Sequence, residues 1–151
     1  MGQQARGDEA DAAIIFEKAR GGEAATAEER AKFTFYLMVF LGRLDAARGW
    51  TKQLHLGAAR NVNPRGFQSL GPDAGYDTIG DHQQGPGIFA YLGTLSAENA
   101  LPKIILYNLN PADNYLFAAL TGGVWLREAR SARAEAAHAR SAADALAASA
   151  A

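Results

Sequence analysis

WTKQLHLGAARNVN, residues 50–63, is the stretch on which the reading of the chain turns. Thr51, Gln53, Leu54, His55 and Leu56 make a short run of mixed polarity, and Gly57, two alanines and an Arg-Asn-x-Asn cluster follow at once. That pattern predicts a buried strand whose C-terminal end opens into a polar loop. Parallel-sheet proteins keep their active sites at such ends. An imidazole at the end of the strand and a guanidinium five residues on are suited to hydrogen-bond a hydroxylated, carboxylate-bearing small molecule. His55 and Arg60 are therefore the candidate pair. The same residues fit a second reading, in which His55 is a hydrogen-bonded structural residue near a strand end.

Upstream lie two helices. Asp8 is placed to cap a helix running to about Arg20, with Ile14, Ile15 and Ala19 on its apolar side and Gly21-Gly22 ending it. Thr26 and Glu29 stand in capping-box spacing at the start of the second. There Phe33, Tyr36, Leu37, Phe40, Leu41 and Leu44 recur at three and four residues, and Gly49 supplies the stop. Phe35, Met38 and Val39 widen the stripe, which predicts packing against more than one neighbour.

Downstream, Asn63-Pro64 starts a short helix carrying Phe67 and Leu70, closed by Gly71-Pro72. Residues 71–87, GPDAGYDTIGDHQQGPG, hold five glycines, two prolines and three aspartates in 17 residues and are expected to be mostly loop. Asp73, Asp77, Asp81 and His82 are ligand-type residues on glycine-broken backbone, which favours a solvated, helix-capping loop over a metal site. Helical spacing returns from Ile88 to Leu95. KIILYNL, Lys103 to Leu109, then reads as a second buried parallel strand, spilling into Asn108, Asn110, Pro111, Asp113 and Asn114. Two strands, each preceded by a helix and each ending in a polar loop, make an α/β pattern.

From Gly122 the composition turns to alanine, arginine and serine, predicting a tail that is helical or disordered, with Arg127, Arg130 and Arg133 on a solvated face and His138 in no site. The division expected is a frayed start over 1–10, an α/β body over 11–121 and this tail over 122–151. With 15 basic and 16 acidic side chains in 151 residues, no net field draws the chain to nucleic acid or an anionic membrane. There are no cysteines, which excludes disulfides and thiolate metal sites and makes a cytoplasmic address the expectation. The longest apolar run, Phe35 to Leu41, is far below the roughly 20 residues of a membrane span.

These motifs resemble those of the uronate isomerase (glucuronate isomerase) family of the amidohydrolase superfamily. WTKQLHLGAARNVN resembles that family's strand-five segment, LGPDAGYDTIGD the loop that follows, and LPKIILYNLNPADN its strand six and succeeding turn, all in the family's order. The similarity runs from about Asp11 to about Leu120. It implies a fragment of a (β/α)8 TIM-type barrel, about strands five and six with their flanking helices. The implied reaction is aldose–ketose isomerisation of D-glucuronate to D-fructuronate and of D-galacturonate to D-tagaturonate. It implies His55 as the catalytic residue at the active-site end of strand five, and Arg60 and Asn61 in the substrate pocket. The partner implied is a small uronate sugar, with a homo-oligomer compatible. A divalent metal, zinc or manganese, is expected for the full-length family and none within this chain, because the family's His-x-His after strand one and Asp-x-Arg segment of strand eight are absent here. Val62 replaces an asparagine common in the family. A complete barrel takes about 250 residues, so the chain reads as an internal piece, inactive alone. Alanine-arginine-serine runs such as the one after Gly122 also arise when GC-rich DNA is read out of frame. The competing reading is a non-catalytic α/β piece serving as an assembly surface.

Overall fold

A computed structural model describes residues 6–125 together with Ala137 and Arg140. The expectations for Arg127, Arg130, Arg133 and His138 lie outside the described residues. The chain divides into two compact units, with the boundary between Asn110 and Pro111.

The first unit opens with a helical hairpin. Helix α1 (Glu9–Arg20) is capped by Asp8, whose Oδ1 accepts from the Asp11 amide at 2.9 Å, and Gly22 leaves it at φ +86°. Helix α2 (Ala27–Ala47) starts on the expected capping box: the Glu29 amide donates to Thr26 Oγ1 at 3.2 Å and the Thr26 amide to Glu29 Oε2 at 2.7 Å. Lys18 reaches both oxygens of Glu29 at 3.0 Å, and Lys32 reaches Asp11 at 3.2 Å, so ion pairs tie the helices at both levels of the hairpin. The buried line of α1 is Ala12 and Ile15, three residues apart; Ile14, expected on the apolar side, is 70% exposed, and Ala19 is exposed too. On a helix a neighbouring position is turned by about 100°, which carries Ile14 off the contact line set by Ile15.

Helix α2 meets α1, helix α4 (Gly85–Ala97) and strand β1 (Thr51–Leu56), so the expectation of several neighbours holds. Its most buried positions are Val39 and Gly42, while Leu37, Phe40 and Leu41 of the expected stripe are exposed. Packing follows the closest approach rather than the largest side chains. At Gly42 a Cβ would stand 2.6 Å from Leu95 Cδ1 and 2.9 Å from the Tyr91 hydroxyl oxygen. Glycine inside a helix costs about 1 kcal/mol against alanine, and here its missing side chain lets α4 settle onto α2. Helix α4 is the centre of the core: Ile88, Ala90, Tyr91, Leu92 and Leu95 are all buried, the last fully.

Strand β1 pairs in parallel with strand β4 (Lys103–Asn108), in a register that sets Thr51 beside Lys103, His55 beside Tyr107 and Leu56 beside Asn108. The strands are where the sequence places them, but they are not buried on both faces. Leu54 and Ile104 are buried and Leu56 and Leu106 half-buried, whereas Thr51, Gln53, His55, Lys103, Ile105 and Tyr107 are all exposed. The cause is one-sided cover: α2 and α4 flank the face carrying Leu54 and Leu56, and among the described residues nothing covers the other.

Between these strands, Ala58–Ala59 (β2) pairs antiparallel with Thr78–Ile79 (β3), and helix α3 (Pro64–Leu70) follows Asn63, whose Oδ1 accepts from the Gly66 amide at 3.0 Å. The expected loop is thus mostly loop, with one two-residue strand inside it and α4 starting at Gly85. Phe67 and Leu70 of α3 are exposed.

The second unit has a 3-10 turn at Pro111–Asp113, helix α5 (Asn114–Leu120) and a π-turn at Thr121–Trp125. Phe117 is buried, Tyr115 is 89% exposed, and Thr121 Oγ1 donates to the Phe117 carbonyl at 2.7 Å. Helix α5 was not expected, since the polar residues before it read as a turn and it has no side-chain cap.

Candidate functional site

The site is built where β1 and β4 end together. His55 lies one residue before the end of β1, on the exposed face, and its ring meets the cross-strand Tyr107 edge-on at 4.9 Å between centroids, 67° between planes. Such a contact fixes the plane of the imidazole while leaving its nitrogens accessible. Beyond Leu56 the chain turns at Gly57, φ +82°, where a side chain would meet the Asn110 amide nitrogen and Gln84 Nε2, each at 3.1 Å.

Amides lock the strand ends. The Leu109 amide donates to the Leu56 carbonyl at 2.9 Å and the Gly80 amide to the Gly57 carbonyl at 2.7 Å. Asn108 Oδ1 accepts from the Asn110 amide at 3.2 Å and from Gln84 Nε2 at 3.4 Å, and Asn110 Nδ2 donates to the Gly80 carbonyl at 3.3 Å. Asn108 and Asn110 therefore stand at the same sheet edge as His55, as expected, and tie β4, the loop and the start of α4 together.

Arg60 and Asn61 face a different partner. Arg60 Nη1 donates to Asp77 Oδ2, and the Asn61 amide donates to Asp77 Oδ1 at 3.0 Å. The Asn61 amide, and after it the Arg60 guanidinium, hold the Asp77 carboxyl below the usual aspartate range. Asp73 is a looser second acid, 3.9 Å from Arg60 Nη1. His55 shares no hydrogen bond with Arg60 or Asn61. The sequence marks Asp77 only as one of several ligand-type acids on a solvated loop; its bonds to the Asn61 amide and to Arg60 across a closed loop give it a specific role.

A cavity of about 660 Å³ lies between α2, β1 and α4 and is walled by Phe35, Met38, Leu54, Leu56, Ile88 and Tyr91. Its β1 wall is the face opposite His55, and at its loop end it is lined by His82 and by Gln84, which donates to Asn108. The residues here do not make a metal centre: among the described residues no three His, Asp or Glu side chains converge, and His55 has an aromatic ring rather than a second ligand beside it. One imidazole does not fit the several-ligand site that a catalytic metal needs. Among the described residues no helix is long and apolar enough to cross a membrane.

Comparison with known proteins agrees with this architecture. The family model for glucuronate isomerase matches residues 2–136, past the quoted motifs on both sides. A uronate isomerase of Solibacter usitatus is 57% identical over 114 residues, covering 76% of this chain and 24% of that protein. One from Opitutus terrae is 53% identical over 112 residues, covering 74% and 24%. The crystal structure of uronate isomerase from Thermotoga maritima superposes with a TM-score of 0.71 at 29% identity, over 79% of this chain and 26% of that one. The chain thus spans about a quarter of the length of the relatives it matches. With its α/β architecture, its parallel strand pair and this extent of match, the chain belongs to the glucuronate isomerase family.

Proposed function

We propose that this chain is the strand-five to strand-six portion of a uronate isomerase barrel and contributes one wall of its active site. The observation that carries the reading is the in-register parallel pair of β1 and β4, with His55, Asn108 and Asn110 gathered at its C-terminal edge. The reaction is the interconversion of D-glucuronate and D-fructuronate. A proton leaves C2 of the aldose as C1 becomes part of an enediol, and a proton is returned to C1 as the C2 carbonyl forms. His55 is the base suited to that transfer, and Arg60 with Asn61 is assigned to substrate binding by the family resemblance. A bound zinc or manganese would polarise the carbonyl and hydroxyl oxygens, but the described residues hold no cluster of three ligands for it.

The chain alone is therefore proposed to be inactive on uronates. The test is a chimera in which the matching segment of the Solibacter usitatus relative is replaced by residues 11–120 of this chain, assayed for glucuronate isomerisation. Activity lost on His55→Ala supports the reading. A chimera that folds and turns over equally well with alanine at 55 refutes it.

A further inference from the structure

We infer that Asp77 is a positioning residue which aims Arg60, so that the free edge of its guanidinium takes the carboxylate of an acidic sugar; this rests on the reading above. Residues 61–77 form a closed loop containing α3, and its neck is fastened twice. The Val62 amide donates to the Tyr76 carbonyl at 2.9 Å, and the Asn61 amide donates to Asp77. Asn61 is in the left-handed region at φ +53°, a conformation that costs a non-glycine residue free energy and that the Asp77 bond helps to hold. Inside the loop Gly66 lies under Tyr76, where a Cβ would fall 2.3 Å from Tyr76 Cε2, so the loop has little room to collapse otherwise.

Against this fixed neck, Asp77 uses one oxygen for the backbone and the other for Arg60 Nη1. The Asp77 side chain is 26% exposed and that of Arg60 54%, so the acid is the anchored partner. Among the described residues neither Nε nor Nη2 of Arg60 has a hydrogen-bond partner. Those two groups form the parallel donor edge that a carboxylate accepts in bidentate fashion, which an ammonium cannot reproduce. Asp77 thus occupies one corner of the guanidinium and leaves a whole fork open to solvent.

The test is NMR titration of the full chain with D-glucuronate, and separately with D-glucose, following the Arg60 Nε–H resonance. We expect saturable, millimolar glucuronate binding and none for glucose. Arg60→Lys should weaken glucuronate binding about tenfold, as should Asp77→Asn, with Asp77→Glu restoring part of it. Thermal melts identify any variant that fails to fold; if Asp77→Asn does, the Arg60→Lys and Asp77→Glu arms decide. Equal response to both sugars, no glucuronate binding, or unchanged affinity in folded Asp77→Asn overturns the proposal. If that happens while the chimera remains active, only the Arg60 fork is wrong; an inactive chimera beside carboxylate-selective binding removes the catalytic reading instead.

Discussion

Replacing Gly42 with alanine tests whether the contact between α2 and α4 is as tight as its geometry says. The added methyl would lie 2.6 Å from Leu95 Cδ1, 3.2 Å from Leu95 Cδ2 and 2.9 Å from the Tyr91 hydroxyl oxygen. Leu95 is fully buried and Tyr91 nearly so, which leaves neither side chain an empty direction to swing into. Overpacking of this kind costs about 1–3 kcal/mol, and the helix propensity of alanine offsets about 1 kcal/mol of it. The net expectation for Gly42→Ala is a loss of about 0–2 kcal/mol. Leu95→Ala alone should cost about 2–5 kcal/mol through lost burial and the cavity it leaves. In the double variant the new methyl enters the space that Leu95 vacates, so the combined loss should fall short of the sum by about 1–3 kcal/mol. Urea unfolding followed by far-UV circular dichroism measures all four corners of this cycle. Strict additivity, or a Gly42→Ala protein more stable by the full propensity gain, would refute the claim that this glycine exists for close approach.

Thr26→Ala removes the hydroxyl that accepts from the Glu29 amide and should lower stability by about 1 kcal/mol in the same urea assay, with Thr26→Ser retaining most of it. The Tyr91 phenol is pushed up to about 12, by burial first and the Asp45 charge second. Because the folded value is raised, its stabilising contribution is complete below the usual tyrosine value and is lost as pH rises through about 12; alkaline unfolding monitored at the phenolate absorbance should show this. Tyr91→Phe should abolish that component and, since the buried hydroxyl has no hydrogen-bond partner among the described residues, raise stability at neutral pH by about 1 kcal/mol. Calorimetric titration with zinc should give no micromolar binding to the chain that His55→Ala removes. Such binding, together with turnover of glucuronate, would show that the piece is itself a working enzyme.

What was legible in the sequence had local chemical causes. The capping box at Thr26 and Glu29, the Asn63-Pro64 helix start, the glycine stops at Gly21-Gly22 and Gly49 and the two parallel strands all appear where short-range rules put them. The degree of burial was less legible, because it depends on what lies across the sheet. KIILYN is almost continuously apolar, yet Ile105 is 42% exposed, since apolar character fits a strand to a covered face without supplying the cover. The buried line of α2 was legible only in part: Val39 is buried and Phe33, Tyr36 and Leu44 half-buried, but Gly42 at the closest approach outweighs larger residues nearby, and hydrophobic periodicity gives a glycine no weight. At the site, His55 was readable from its place in a strand end. Asp77 was not, because its meaning depends on Asn61 adopting a left-handed backbone and bringing an amide to it across a closed loop.

The parallel pairing of β1 with β4 also sets an order of events during synthesis. Strand partners here are separated by roughly fifty residues, and closing a loop of that length costs about 3.5 kcal/mol in chain entropy beyond a constant. At translation speeds of about 5–20 residues per second, β1 emerges some seconds before its partner has been made. For that interval the helical hairpin can form on local contacts alone, while the edge of β1 that β4 will occupy has no strand beside it. An extended segment in that state is open to pairing with the same segment of a neighbouring nascent chain on one messenger. Slow codons between Ala58 and Leu101 would prolong the exposure and lower the soluble yield, and faster decoding across the same stretch would raise it.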